Sequence, residues 1–199
     1  MLEIGSNMKE TDPDDLHARI ARRVRELRAA RGLSLDALAA HCGVSRSMIS
    51  LIERGETSPT AVVLEKLATA LNVALANLFE PPAAASPVAR RAEQPTWRDP
   101  ASGYLRRNVS PAGQLTPIQI VEVEFPVGAH VAYESGPRRP STHQQIWVLD
   151  GAIEVTVGKA RYDLRAGDCV AFVLDQPTTF RNRTRKPARY AVVIVAGAP

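Results

Sequence analysis

Only two cysteines occur in the 199-residue chain, Cys42 and Cys169. They form no CxxC pair and lie far apart, which excludes a disulfide framework. Both are expected to be small buried apolar side chains. No apolar run approaches the roughly 18 residues of a membrane-spanning helix. The opening stretch, Met1 to Asp15, is polar and acidic. It lacks the basic-then-apolar order of a signal peptide, so a cytoplasmic location and no membrane partner are expected. No internal repeat is visible. A basic surplus is also missing where a nucleic-acid reader would need it. The formal net charge is +4, but residues 1–80 carry 10 Lys and Arg against 11 Asp and Glu, while residues 81–199 carry 15 against 10. Any argument for nucleic-acid binding must therefore rest on local placement rather than on net charge.

The length allows one large domain or two small ones, and 45% apolar residues suffice for a packed core. The chain changes character near residue 80. Before it, apolar residues recur at helical spacing, as in Leu16, Ile20, Val24 and Leu27. Asp12-Pro13 is a helix start and Gly32 a helix stop. Further helices are expected at about 34–41, 45–54, 60–71 and 74–79. Residues 81–103 are rich in Pro, Ala and Ser and read as a linker. Trp97, within that stretch, is expected to dock on the domain that follows. After Tyr104 the apolar period becomes two. Ile118 to Phe125, Ile153 to Val157, Val170 to Leu174 and Tyr190 to Val195 read as strands, separated by turn signals such as Asp150-Gly151 and Gly158-Lys159. Many short strands suggest a sandwich or barrel. The expected domains are therefore 12–80, a linker at 81–103, and 104–199.

Residues 35–54, LDALAAHCGVSRSMISLIER, carry the sharpest signal. Ala39 is small enough for two helices to cross closely. Gly43 supplies a positive φ in a tight turn. Val44 plugs the space beneath the turn, and Ile49 and Ile52 give the second helix a buried face. Ser34 and Ser45 stand at the two helix starts as N-caps, and Gly55 closes the second helix. Thr60 after Pro59 opens a fourth helix. The second helix of such a pair enters the major groove by its N-terminal end. Its outward side chains are Arg46, Ser47, Ser50 and Arg54. Arg46 can meet guanine O6 and N7 with two bonds, and the amides at the helix starts, with Ser34 and Ser45, favour phosphate. Of Arg22, Arg23, Arg25, Arg28 and Arg31 on the first helix, some are expected to face phosphate.

The run GLSLDALAAHCGVSRSMISLIERGETSPTAVVLEKLATALNV resembles the Cro/repressor-type (XRE) helix-turn-helix domain, a five-helix fold. The resemblance implies DNA binding. Leu35 departs from a glutamine common in the family, and Leu51 stands where a polar base-contacting residue is common. A leucine at 51 can touch a thymine methyl.

The second half resembles a cupin, a small jelly-roll barrel, in QQIWVLDGAIEVTVG and GDCVAFVLDQPTTFRN, with WRDPASGYLRRNVSP resembling the entry to the cupin in such regulators. Metal-binding cupins place two histidines and a glutamate in the first motif and a histidine in the second, donors that suit a divalent cation. Here those positions read Arg138-Arg139-Pro140, Gln144 and Thr178. Arginine does not ligate metals, and His130, His143 and Glu134 have no ligand spacing. No metal, cofactor or catalytic residue is therefore expected. What remains is a pocket in which Gln144, Thr178 and Asn182 supply neutral hydrogen bonds and Arg138 or Arg139 pairs with an anion.

The chain thus reads as an α + β two-domain protein, all-α helix-turn-helix followed by all-β cupin. Its expected function is sequence-specific transcriptional regulation, as a homodimer on a palindromic double-stranded operator, with a metal-free cupin sensing a small anionic effector. The alternatives are a cupin isomerase or dioxygenase with a regulatory N-terminal domain, a cupin serving only for dimerisation, and a helical domain that binds protein instead of DNA.

Overall fold

The structure is a computed structural model and describes residues 13–73, 75–79, 86–112, 118–134 and 141–196. Among the described residues four α-helices come first: α1 (Pro13–Ala30), α2 (Leu35–Cys42), α3 (Arg46–Glu53) and α4 (Ala61–Ala70). The fifth helix expected at 74–79 is instead a 3-10 turn, Leu75–Phe79. Five residues are too few to close a run of i→i−4 bonds, and the tighter i→i+3 pattern takes over.

The caps explain where the helices begin. Ser34 Oγ accepts from Ala37 N at 3.0 Å, Ser45 Oγ from Met48 N at 3.2 Å, and Thr60 Oγ1 from Val63 N at 3.3 Å. Each hydroxyl satisfies an amide that the helix itself leaves unpaired. Gly43 ends α2 at φ 65°, left-handed backbone that a side chain disfavours. The stripe Leu16, Ile20, Val24 and Leu27 is buried as expected, and packs with Leu38, Ile49, Ile52, Leu64 and Leu67 in one core.

Ten strands follow among the described residues: β1 (Thr96–Arg98), β2 (Leu105–Asn108), β3 (Ile118–Phe125), β4 (His130–Tyr133), β5 (Thr142–Asp150), β6 (Ala152–Val157), β7 (Ala160–Arg165), β8 (Cys169–Val173), β9 (Thr178–Arg181) and β10 (Ala188–Ala196). They form two antiparallel sheets, ordered β1-β2-β3-β10-β5-β8 and β4-β9-β6-β7. The inner face of the larger sheet is set by register. Val123 on β3 pairs with Arg106 on β2 and with Tyr190 on β10, and Tyr190 pairs with Val148 on β5. All four are buried. At the β5–β6 turn, Gly151 has φ 74°, and a Cβ there would lie 2.5 Å from the Pro187 carbonyl oxygen. Only glycine satisfies both the backbone angle and the close approach.

Two expectations change. The stretch read as a linker is partly built into the sheet: β1 lies within it, pairs with β2, and buries Trp97. Three residues are too short to show a period in sequence, and the apolar area of one tryptophan is enough to hold the segment down. Of the two cysteines, Cys42 is buried but Cys169 is exposed. Cys169 opens β8, the edge strand, and stands opposite the exposed Trp147 on the outer face.

The helical and β units are packed against one another. An unbroken aromatic series runs from Phe79 to Trp97, Tyr104, Phe125, Tyr190, Phe180 and Tyr133, with ring centroids 5.5–6.2 Å apart. It begins on the helical side, runs between the sheets through Phe125, Tyr190 and Phe180, and comes back at Tyr133 to the hydroxyl of Tyr104. Asp99, which follows β1, is buried, and its Oδ1 accepts from Ala61 N, the first amide of α4, at 2.9 Å. Lys66 on α4 reaches Glu134 beyond β4 at 3.7 Å.

Candidate functional site

Two places carry chemistry: the outer side of α3 and a cavity between the sheets. On α3, Ile49, Ile52 and Glu53 are buried, which turns Arg46, Ser47, Ser50, Leu51 and Arg54 toward solvent to different degrees. Arg46 and Ser47 are exposed, and Ser50 and Leu51 are half-buried. Arg46 Nε lies 3.2 Å from Asp36 Oδ1, with both side chains well exposed. Such a pair is weak in water and can yield to a base or phosphate. Arg54 is held by two bonds to Glu56, at 2.6 and 2.9 Å, and also donates to Ser50 Oγ. The hydroxyls of Ser34 and Ser45 are engaged as the caps of α2 and α3. Ser47 Oγ sits 3.2 Å from Ser45 Oγ.

The α1 arginines divide: Arg22, Arg25 and Arg31 are exposed, and Arg23 and Arg28 are half-buried. Arg28 does not face outward. Its Nε and Nη2 donate to the two carboxylate oxygens of Glu53 at 2.6 and 2.7 Å, and its Nη1 donates to the Leu33 carbonyl at 2.9 Å. The Glu53 side chain is only 7% exposed. The paired carboxylate holds the Arg28 guanidinium above its ordinary pKa, chiefly through the hydrogen bonds. The pair bolts the C-terminal end of α3 to α1 and fixes how the reading helix is presented. Arg23 and Arg31 also bond main-chain carbonyls, of Asn77 and Leu27.

The cavity has a volume of about 60 Å³ and is lined by both sheets and by the helical domain. Gln144 and Thr178 line it, as expected. The Thr178 hydroxyl donates to the Gln176 carbonyl at 3.2 Å. Asn182 is not brought to the cavity. Its amide nitrogen donates to the carbonyls of Phe125 and Lys186, at 3.3 and 2.8 Å, and its Oδ1 accepts from Thr184 N and Oγ1. A fully engaged amide that staples the turn after β9 has nothing left for a ligand. Arg138 and Arg139 lie outside the described residues.

Three lining residues gave no sequence signal. Arg106 is buried, its Cζ lies 5.3 Å from the Phe79 ring centroid, and its Nε and Nη2 have no hydrogen-bond partner among the described residues. Burial pushes its guanidinium below the ordinary arginine range. Tyr104 and Tyr133 meet hydroxyl to hydroxyl at 3.1 Å. Burial pushes the Tyr104 phenol up to about 12 and the Tyr133 phenol well above its ordinary value. Nothing in YLRRN distinguishes the buried Arg106 from its neighbour Arg107; only pairing with Val123 decides it. Glu65, from α4, completes the wall.

The donors at the cupin metal positions do not fit a divalent cation. Gln144 and Thr178 are neutral and weak ligands, and His143 and His130 are exposed. Among the described residues, no three His, Cys, Asp or Glu side chains converge. No helix among them is long and apolar enough to cross a membrane.

Comparison with known proteins agrees with this division. A helix-turn-helix family matches residues 24–78 and a cupin family matches residues 121–195. The HTH-type transcriptional regulator SutR of Escherichia coli is 30% identical over 159 residues, covering 80% of this chain and 84% of SutR. The HTH-type transcriptional regulator SlrR of Bacillus subtilis is 42% identical over 62 residues, 31% of this chain and 41% of SlrR. A crystal structure of an HTH_3-family transcriptional regulator from Vibrio cholerae superposes with a TM-score of 0.75 at 26% identity, covering 94% of this chain and 99% of that one. The chain belongs to the XRE-type helix-turn-helix transcriptional regulators that carry a C-terminal cupin domain.

Proposed function

We propose that this regulator works in the cytoplasm as a homodimer on a two-fold operator, and that its cupin is a non-catalytic sensor of a small anionic molecule. The functional division is 12–80 for DNA reading and 104–199 for the cupin, with 81–103 joining them. The observation that carries the DNA reading is α3 itself. It is capped by Ser45, bolted by Arg28 and Glu53, and presents Arg46 at its N-terminal end. Arg46, Ser47, Ser50, Leu51 and Arg54 approach base edges and phosphates, while the amides beside Ser34 and Ser45 take phosphate.

Support for a dimer comes from the outer face of the larger sheet. Ile118 and Ile120 on β3 and Trp147 on β5 are large, apolar and exposed, Trp147 by 50%. Ile120 lies in one register row with Val193, Gln145 and Ala171. This apolar patch lies at one end of the face, away from the charged group of Glu122, Arg107 and Arg189 at the other, and suits a second copy of itself, whose two-fold pairing would present two α3 helices to one duplex. The cavity supports sensing over mere dimerisation, which would need only a solid interior.

Operator binding by the full chain, measured on a duplex selected from a random pool, tests the reading. Arg46→Ala is expected to cost about 1–3 kcal/mol and relax preference at one base. Affinity is expected to fall steeply as salt rises. No salt-dependent affinity for any duplex refutes DNA reading.

A further inference from the structure

We infer that the cavity binds a small organic carboxylate on Arg106, and that the DNA-reading domain senses its arrival through Glu65. This rests on the sensor reading above and gives it a ligand class and a route. Arg106 comes from β2, in register with the inward-facing Val123, and is 6% exposed. A cation taken out of water with two unused donors is strongly unfavourable unless something fills them. The two unused donors, Nε and Nη2, share one edge of the guanidinium. That edge matches a carboxylate with two parallel bonds.

The rest of the wall favours an organic anion over an inorganic one. Val131, Leu174, Val192 and Ile194 line the cavity with hydrocarbon. Tyr104 and Tyr133 share one hydrogen bond between two hydroxyls, so one O–H remains to donate. Both stay neutral over the ordinary pH range because burial raises them. Gln144 and Thr178 add neutral polar atoms. A volume of about 60 Å³ takes roughly four to six water-sized groups, the size of a short-chain acid.

Glu65 supplies the route. It stands on α4, lines the same cavity, and its charge acts on Arg106, Tyr104 and Tyr133. An entering carboxylate meets the Glu65 carboxyl in the wall of the same cavity. The helix that must give way carries the docking contacts of the DNA reader: the Ala61 amide on Asp99, and Lys66 on Glu134. A ligand with unequal affinity for the docked and undocked arrangements shifts operator affinity, and operator shifts ligand affinity by the same factor.

Calorimetric titration of the full chain with acetate, propionate, butyrate and pyruvate tests this, with propionamide and inorganic phosphate as controls. At least one carboxylate is expected to bind wild type. Arg106→Met is expected to weaken it about tenfold or more with an unchanged circular-dichroism spectrum. If Arg106→Met does not fold, Arg106→Lys, which keeps the charge and loses the two-donor edge, is expected to weaken it at least about fivefold. Glu65→Gln is expected to tighten it at least about fivefold, with a reduced effect of the acid on binding to the selected duplex. Equal binding of the acid to wild type and the Arg106 variant overturns the assignment, as does phosphate or propionamide binding as tightly as the acids. Binding of propionamide alone overturns the Arg106 site but leaves sensing of a neutral molecule standing. Binding of no compound removes the carboxylate site, while duplex binding measured in parallel reports separately on DNA reading.

Discussion

Replacing Asp99 with alanine tests whether the DNA reader is held to the cupin or merely tethered. Asp99 Oδ1 accepts the Ala61 amide at 2.9 Å, and Oδ2 accepts Ser102 N and Oγ at 2.8 and 2.5 Å. Ala61 is the first residue of α4 and is itself buried. Thr60 covers the amide of Val63, so Asp99 covers an N–H that nothing else on the helix can reach. Orphaning a buried N–H costs about 1–3 kcal/mol, and an anion at a helix start adds about 0.3–1 kcal/mol. The Ser102 groups are half-exposed and recover most of their loss from water. Asp99→Ala should therefore cost about 2–3 kcal/mol, which for a chain of this size is roughly 4–12 °C in Tm. Because the lost contact joins the two domains, calorimetry should also show one thermal transition resolving into two. Asp99→Asn, which keeps the Oδ1 acceptor, should cost about 1 kcal/mol and leave a single transition. A change within about 0.5 kcal/mol for Asp99→Ala, the scatter of an ordinary surface substitution, would refute the latch.

Breaking the Arg28–Glu53 pair by Glu53→Gln should destabilise the chain by about 1.5–3 kcal/mol in urea unfolding, because a half-buried guanidinium loses its charge partner and one of its two carboxylate bonds; a loss below about 0.5 kcal/mol would show that water already screens it. Alkaline stability has a definite sign. The folded chain holds Tyr104 neutral up to about 12 and Tyr133 and Tyr190 well above the ordinary value, all by burial, whereas unfolded tyrosines release their protons near 10. That stability is fully present below about pH 10 and is lost as pH rises from there toward 12, so phenolate absorbance from these three should appear together with unfolding. Trp147→Glu should convert a dimer to a monomer in sedimentation while leaving the circular-dichroism spectrum unchanged; a monomeric wild type, or a dimer that survives the change, would move the interface elsewhere.

The helix-turn-helix was legible because its requirements are local. A cap hydroxyl, a glycine at positive φ, and apolar residues three and four apart act within a turn or two of helix, so Ser45, Gly43 and Ile49 announce themselves in sequence. Strands β3, β6, β8 and β10 were legible for the same reason, through alternation and turn residues, whereas the nine-residue β5 was met only as part of a family motif. Short strands were not: β1 has three residues and β7, ARYDLR, lies mostly exposed on an edge, so neither shows an apolar period. The candidate cavity divides likewise. Gln144 and Thr178 were found by their places in a motif, whereas Asn182 in the same motif spends its amide on a turn.

The sequence alone determined two units, the reading helix and the residues along its outer side, because short-range sterics and hydrogen bonding dictate them. Tertiary structure decided what faces what. Strand register turned Arg106 inward and left Arg107 beside it on the other face. Packing of α4 on the sheets carried Glu65, Arg106 and Tyr133 from three separate segments into one wall, and placed Asp99 on a helix 38 residues before it. Such meetings follow from burial of the whole apolar surface at once, and no local pattern in the chain encodes them.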